Sequence, residues 1–398
     1  MLYRFNALLV ALALIIVSGT SYAYEFSFKG MIKTELLYTD SGVASFGGGY
    51  SQVAPTNALR TDVFGGAPAT DQQMRFLESD ATSFQAAHSR FSLNMKHENV
   101  RTILEFDFID GEDGFTNQTA IQAQGARLRL ATLYYDVNES LTIFAGQKWT
   151  TAAGIKSNGS YNWIGNGYRA GNSGFLALEA GATYKSGGWT FTSALTNRGR
   201  NNSAAGINAN ELGSVPGFAV DLNYRTTASG HLFGFAGHIA EVNFEDEAGF
   251  ASGSNQDANF FKAYTTLKFG SVSISAEAYT GEAVNNQNAL GIAPATSLGG
   301  DGVVRESFSE SGFFAFVNWD VKPGHNFKAG YATASVDEED RLGLTELSAN
   351  TAAYVNYGVK LTDSLTAFGQ VTHFNTEFGV DFEDFSAVEA RAGLLFRF

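Results

Sequence analysis

From Phe26 onward apolar and polar residues take turns along the chain. Phe26, Phe28, Gly30, Ile32, Leu36 and Tyr38 share one parity, while Ser27, Lys29, Lys33 and Glu35 share the other. A period of two belongs to a β-strand with one apolar and one polar face. The alternation returns at Phe91, Leu93 and Met95 against Arg90, Ser92, Asn94 and Lys96. It returns again at Leu104, Phe106 and Phe108 against Arg101, Glu105 and Asp107, and last over Val388 to Phe398. Sixteen such segments begin near residues 26, 86, 101, 126, 141, 176, 189, 217, 230, 259, 271, 312, 326, 352, 365 and 388.

Between them, short turns such as Glu98-Asn99, Ser186-Gly187-Gly188 and Lys322-Pro323-Gly324 alternate with long polar loops, at about 40–85, 109–125, 150–175, 197–216, 241–258, 280–311, 337–351 and 375–387. All five prolines fall in these connections, where a missing N–H costs no ladder bond. An even strand count with strict short and long alternation predicts an all-β fold, a 16-stranded antiparallel transmembrane β-barrel with one plain rim and one elaborate rim. The apolar parity of the quoted strands carries no Lys, Arg, Asp or Glu. A basic residue against lipid at the midplane would cost about 2 to 4 kcal/mol. A secreted soluble β-protein would alternate in the same way with its apolar parity turned inward, so parity alone leaves the direction of the faces open.

Composition narrows the classes. Aromatic residues make up 14% of 398, glycine reaches 44 and charged residues only 17%, which excludes disorder and coiled coil. A formal charge of −14 argues against nucleic acid as a partner. With no cysteine there is neither a disulfide nor a thiolate ligand. The six histidines lack metal-ligand spacing, and no nucleophile and base pair can be named. No metal, cofactor or enzymatic activity is therefore expected. The run Asp107, Asp110, Glu112 and Asp113 lacks the spacing of a calcium loop, and binding of divalent cations near lipopolysaccharide is the alternative to a plain solvated loop.

The start of the chain reads differently. Arg4, the apolar run Ala7 to Val17 and then Ser21-Tyr22-Ala23 predict a signal peptide over residues 1–23. Its apolar core is too short to cross about 30 Å of hydrocarbon as a helix. Residues 24–398 then form a single barrel domain. No later stretch is long and apolar enough for a membrane helix, so only a closed sheet could span a bilayer.

The chain ends Ala392-Gly393-Leu394-Leu395-Phe396-Arg397-Phe398, which resembles the aromatic terminal signature read by the barrel-assembly machinery of bacterial outer membranes. Ser89-Arg90-Phe91, Glu105-Phe106-Asp107-Phe108, Arg127-Leu128-Arg129-Leu130 and Ala145-Gly146-Gln147-Lys148-Trp149-Thr150 follow in an order similar to that of the trimeric porin superfamily, in particular its DcaP-like branch. This covers the first half of the mature chain; the second half is similar only by barrel pattern. The resemblance implies a homotrimer in the Gram-negative outer membrane, in contact with lipid and lipopolysaccharide, and passage of small organic acids. Members of the branch can carry a periplasmic extension before the barrel, whereas here strand one starts almost at Tyr24.

A barrel of sixteen strands is wide enough for a water-filled channel. On the polar parity thirteen Lys and Arg stand against seven Asp and Glu, a basic interior in an acidic protein. Arg90, Arg101, Arg127 and Arg129 on neighbouring strands could form a ladder for carboxylates, with Lys148 and Arg169 as further pore-lining candidates. Glu105 and Asp107 share that wall, and the competing expectation is that they neutralise the arginines. The stretch of about 150–175, with Lys156, Tyr161, Trp163, Tyr168 and Arg169, is the candidate constriction loop; an extracellular flap or trimer latch is its alternative. The expected function is that of a passive diffusion porin for small hydrophilic solutes leaning to anions, with a gated or ligand-binding barrel as the alternative.

Overall fold

The computed structural model describes residues 24–40, 43–46, 49–53, 80–86, 88–108, 127–157, 159–162, 170–196, 216–243, 255–284, 291–292, 307–337, 347–379 and 385–398. Residues 1–23, the acidic stretch at 110–113 and Trp163, Tyr168 and Arg169 lie outside them.

The alternating segments form β1 (Glu25–Thr39), β2 (Ala81–Gln85, resuming as Arg90–His97), β3 (Val100–Asp107), β4 (Arg127–Asp136), β5 (Leu141–Trp149), β6 (Leu176–Ser186), β7 (Trp189–Thr196) and β8 (Gly217–Arg225). The second half supplies β9 (Leu232–Asn243), β10 (Asn255–Phe269), β11 (Val272–Glu282), β12 (Ser309–Lys322), β13 (His325–Val336), β14 (Leu347–Lys360), β15 (Leu365–Phe378) and β16 (Phe385–Arg397). Each strand pairs antiparallel with the next, and β16 returns to β1 through Met31↔Arg397 to Thr39↔Glu389. The sheet is a closed 16-stranded antiparallel barrel, as the alternation predicts. A small hairpin, Val43–Phe46 with Gly49–Val53, forms a separate two-stranded sheet in the first long connection and lies against β14 to β16.

Closure is completed by the last residue. Phe398 exchanges two backbone bonds with Gly30, at 3.0 and 3.1 Å. Gly30 has no side chain because the Phe398 ring occupies the place a Cβ would take. Around that ring lie Phe28 at 5.6 Å and Phe91 at 6.0 Å, an aromatic seam across the join. The turns at the plain rim are tight, and left-handed glycines make them so: Gly187 and Gly188 (φ 55° and 89°) between β6 and β7, and Gly324 (φ 77°) after Pro323.

The faces point the way a membrane demands. Phe26, Phe28, Leu36, Leu133, Ile143, Leu178, Phe191, Leu222, Phe235, Phe261, Phe313, Val371 and Leu394 are exposed, Phe235 by 68%, whereas Lys33, Glu35, Asp107, Glu277, Glu389 and Arg391 are at most 2% exposed. Apolar outside and charged inside is the inverse of a soluble protein. The interior is not uniformly polar, however. Phe260, Phe314 and Phe374 are fully buried and gather with Tyr264, Tyr279 and Ala332 into one cluster on the inner wall of β10 to β15. Alternation assigns Phe261 to lipid and leaves Phe260 inside, and that inner patch is dry because part of a long connection lies against it.

Replacing Val371, midway along β15 on the outer face, by Arg is expected to cost about 2 to 4 kcal/mol. Urea unfolding in lipid vesicles measures this, and a cost below about 0.5 kcal/mol, the usual range of a surface change, would mean that this face does not meet lipid.

Candidate functional site

The connection between β5 and β6 enters the barrel, and the Ala145-Gly146-Gln147-Lys148-Trp149 run explains how. Gly146 has φ 130°, and a side chain there would collide with the Ala131 carbonyl. Pairing of β5 with β4 stops at Ala131↔Gln147, while pairing with β6 continues to Trp149↔Leu176. The Gln147 amide donates to the Leu128 and Arg129 carbonyls, both at 2.9 Å, replacing ladder bonds that β5 no longer supplies. One edge of the strand has thus left the wall. Thr150 N–H to the Phe175 carbonyl, 2.7 Å, closes the neck.

Beyond the neck every anchor lies on an inner wall. Glu179 accepts from Lys148 Nζ (2.7 Å), Thr150 Oγ1 (2.8 Å), Thr151 N–H (2.8 Å) and Thr151 Oγ1 (2.6 Å). Farther across, Glu277 accepts from Ile155 N–H at 3.1 Å, Asn172 Nδ2 at 2.8 Å and Ser173 N–H at 3.1 Å, so it pins both limbs at once. Lys262 completes that knot, donating to Ala153 O at 3.1 Å and to Ser173 O, with Glu277 at 3.4 Å. Gly171 (φ 104°) sits flush on the β12 backbone, where a Cβ would strike the Phe313 carbonyl.

The tip reaches the barrel seam. Gln370 Oε1 accepts from Tyr161 N–H (2.7 Å) and Ser160 Oγ (2.9 Å), and Asn356 Nδ2 donates to Gly159 O (3.0 Å). The Tyr161 ring stacks on Phe368 with centroids 4.1 Å apart, and burial there raises its phenol above the ordinary range. Lys33 Nζ donates to Tyr161 O at 2.5 Å and meets Glu35 at 2.8 Å and His88 Nδ1 at 3.1 Å. Arg391 joins the same nest, bidentate to Glu389 at 2.7 Å twice and 3.2 Å from Glu35. Lys33 and Arg391 are thereby balanced by Glu35 and Glu389.

The arginines expected to form a ladder are distributed otherwise. Arg127 forms a bidentate pair with buried Asp107 at 2.9 and 2.7 Å. Arg129 pairs with Glu105, approaches Asp107 at 3.7 Å and lies 5.1 Å over the Trp149 ring. The structure thus brings Glu105, Asp107, Arg127 and Arg129 together as a neutral set, with Lys148 balanced by Glu179 close by. Arg90 faces Asp107 in register on the adjacent strand. Arg101 stands apart at the plain rim, bidentate to Asp136 at 2.9 and 3.0 Å. The sequence reading passed over Glu179, Asp136 and Glu310 as inward acids. Strand phase alone could have found Glu179, because Leu178 beside it is 55% exposed to the outside.

Lys156 is different. Its side chain is exposed in the lumen and has no ion-pair partner within 4 Å among the described residues. The enclosing wall desolvates its ammonium and the Lys148 charge adds to the effect, so its pKa lies below the ordinary lysine value. Such a group attracts anions without first having to break a pair. Among the described residues no three His, Asp or Glu converge as a metal site.

Solved structures share this architecture. The outer membrane channel DcaP of Acinetobacter baumannii superposes with a TM-score of 0.72 at 11% identity, over 95% of this chain and 99% of that one. The anion-selective porin from Comamonas acidovorans gives 0.58 at 12%, over 94% and 100%. OmpT, an outer membrane protein of Vibrio cholerae, gives 0.53 at 11%, over 95% and 99%. No protein-family model matches the chain, and no curated sequence does. The chain therefore has the fold of bacterial outer-membrane porins, as its motif order suggests. Its apolar residues face outward and its charges inward, as a barrel that meets lipid requires.

Replacing Glu277 by Ala leaves Lys262 buried without its counter-charge and releases both limbs of the loop. The expected loss is about 3 to 5 kcal/mol, read by thermal unfolding, with new protease cleavage between residues 150 and 175. A variant as resistant as the parent would show that the loop is held elsewhere.

Proposed function

We propose that the protein is a passive diffusion porin, passing small hydrophilic solutes across the outer membrane with a lean towards anions. Residues 1–23 serve as its export signal. It works as a homotrimer among lipid and lipopolysaccharide after insertion by the barrel-assembly machinery. The observation that carries the reading is the long connection laid across the lumen, which narrows a polar channel and holds Lys156 unpaired in the path. The anionic lean draws support from the Comamonas acidovorans neighbour, an anion-selective porin. Pairing of Arg127 and Arg129 with Asp107 and Glu105 moves the weight of that lean from the arginine wall to cations left over after pairing. Transport needs neither cofactor nor energy coupling, and the loop described here supplies the constriction.

Planar bilayers under a salt gradient test the lean. The parent channel is expected to give a reversal potential of anion preference, and Lys156→Glu to shift it towards cations. Removing Arg127 and Arg129 together should shift it in the same direction, because Asp107 and Glu105 lose their counter-charges. As pH rises, Lys156 loses its proton earlier than an ordinary lysine, so anion preference falls on the acid side of the usual lysine range, and Lys156→Gln abolishes that drift. Cation preference in the parent would overturn the anionic part, and an indifferent Lys156→Glu would take this lysine off the solute path.

A further inference from the structure

Most buried charges of the lumen stand in pairs, and at the plain rim Arg101 has Asp136, but one group of cations there has no such partner among the described residues. Lys322 and Lys360 end β12 and β14, Lys328 lies on β13 and Arg397 on β16; all four line one cavity of about 660 Å³. None makes an ion pair within 4 Å among the described residues. The single acid in the lining, Asp320, accepts from Asn326 Nδ2 at 2.8 Å, and that amide also reaches Asn318 at 2.9 Å. The loop tip forms the ceiling, since Tyr161 lines the cavity and its ring lies 5.8 Å from Lys328 Nζ.

We propose that this cavity is an anion subsite at the turn end of the lumen, fitted to a compact multivalent oxyanion such as a small phosphate compound. The inference rests on the reading of the chain as an anion-leaning channel and adds a location and a charge class. Lys322, Lys360 and Arg397 are exposed at the mouth of the cavity and Lys328 is half-buried deeper in, so four cations against one carboxylate leave a positive excess that an entering anion relieves. A guanidinium fork with three ammonium groups suits a group presenting several oxygens. Because Tyr161 at the loop tip lines the cavity, the chamber lies next to the constriction. The chamber lies on the periplasmic side, where barrels of this type place their short turns.

The test uses the full-length barrel in planar bilayers with inorganic pyrophosphate added at the turn side. Transient current interruptions are expected, and Lys328→Gln with Lys360→Gln should shorten them about tenfold, the effect of losing charge-assisted contacts. Lys268→Gln, the loss of one positive charge on β10 outside the cavity, should leave them unchanged. Retained heat-dependent migration on gels confirms that each variant is folded. The absence of interruptions, equal durations in the double variant, or an equal loss with Lys268→Gln would overturn the subsite. The reversal potential of the same membranes separates the two claims: cation preference in the parent sinks the anionic reading itself, whereas anion preference with insensitive interruptions sinks the subsite alone.

Discussion

In lipid no water is present to satisfy a backbone N–H or carbonyl, so a sheet that spans the bilayer has to close on itself. Everything else here depends on that closure. It requires β16 to find β1, and the chain meets the requirement at its last residue, where Phe398 bonds to Gly30 and lays its ring over the glycine. Closure also dictates the inversion of faces. With phenylalanine and leucine committed to the outer surface, hydrophobic burial inside gathers along β10 to β16 and the connections that lie on them, the β5–β6 loop among them.

The interior is therefore organised by charge. Taking a carboxylate or ammonium out of water costs several kcal/mol unless a partner stands opposite. The buried ions here follow that rule: Asp107 with Arg127, Glu179 with Lys148, Glu277 with Lys262, Glu389 with Arg391. Two of these sites, and the Lys33–Glu35 pair beside the last, do more than cancel charge. Glu179 and Glu277 collect backbone and side-chain donors from the loop, and Lys33 collects a loop carbonyl. A pair that gains net stability only with its extra bonds in place holds a peptide segment in one position. Lys156 and the cations around the turn-end cavity, which make no ion pair among the described residues, are thereby set off from those that build the wall.

Much of the fold was legible because lipid tolerates few exceptions. Leu36, Leu178 or Val371 could only face outward once sixteen alternating segments closed, and the short turns announced themselves through glycine, asparagine or, at Thr362-Asp363-Ser364, aspartate and hydroxyl residues. The neighbours Phe260 and Phe261 were harder to place: one of the pair had to face inward, and periodicity could not say that the loop would cover it. The arginine wall was half legible. Strand phase put Arg127 and Arg129 inside with Glu105 and Asp107, but β3 and β4 are joined by a long connection. Nothing in the spacing says that Asp107 falls opposite Arg127, and a register shift follows at Glu105/Phe106. Glu277 gave no local sign of its part, since the residues it holds lie more than a hundred positions earlier. The turn-end chamber was less legible: strand phase puts Lys328, Lys360 and Arg397 inside, but not at one depth, and that common depth comes from the register of β12 to β16.

The place where the loop tip rests has a consequence for how the molecule matures. Tyr161 is gripped by Lys33 from the first strand and by Gln370 from the fifteenth, and Lys33 shares Glu35 with Arg391 from the last. Those three strands come together only when the cylinder is sealed. The nascent protein is thus wide open until its final strand arrives, and the narrowing of the passage marks the end of assembly.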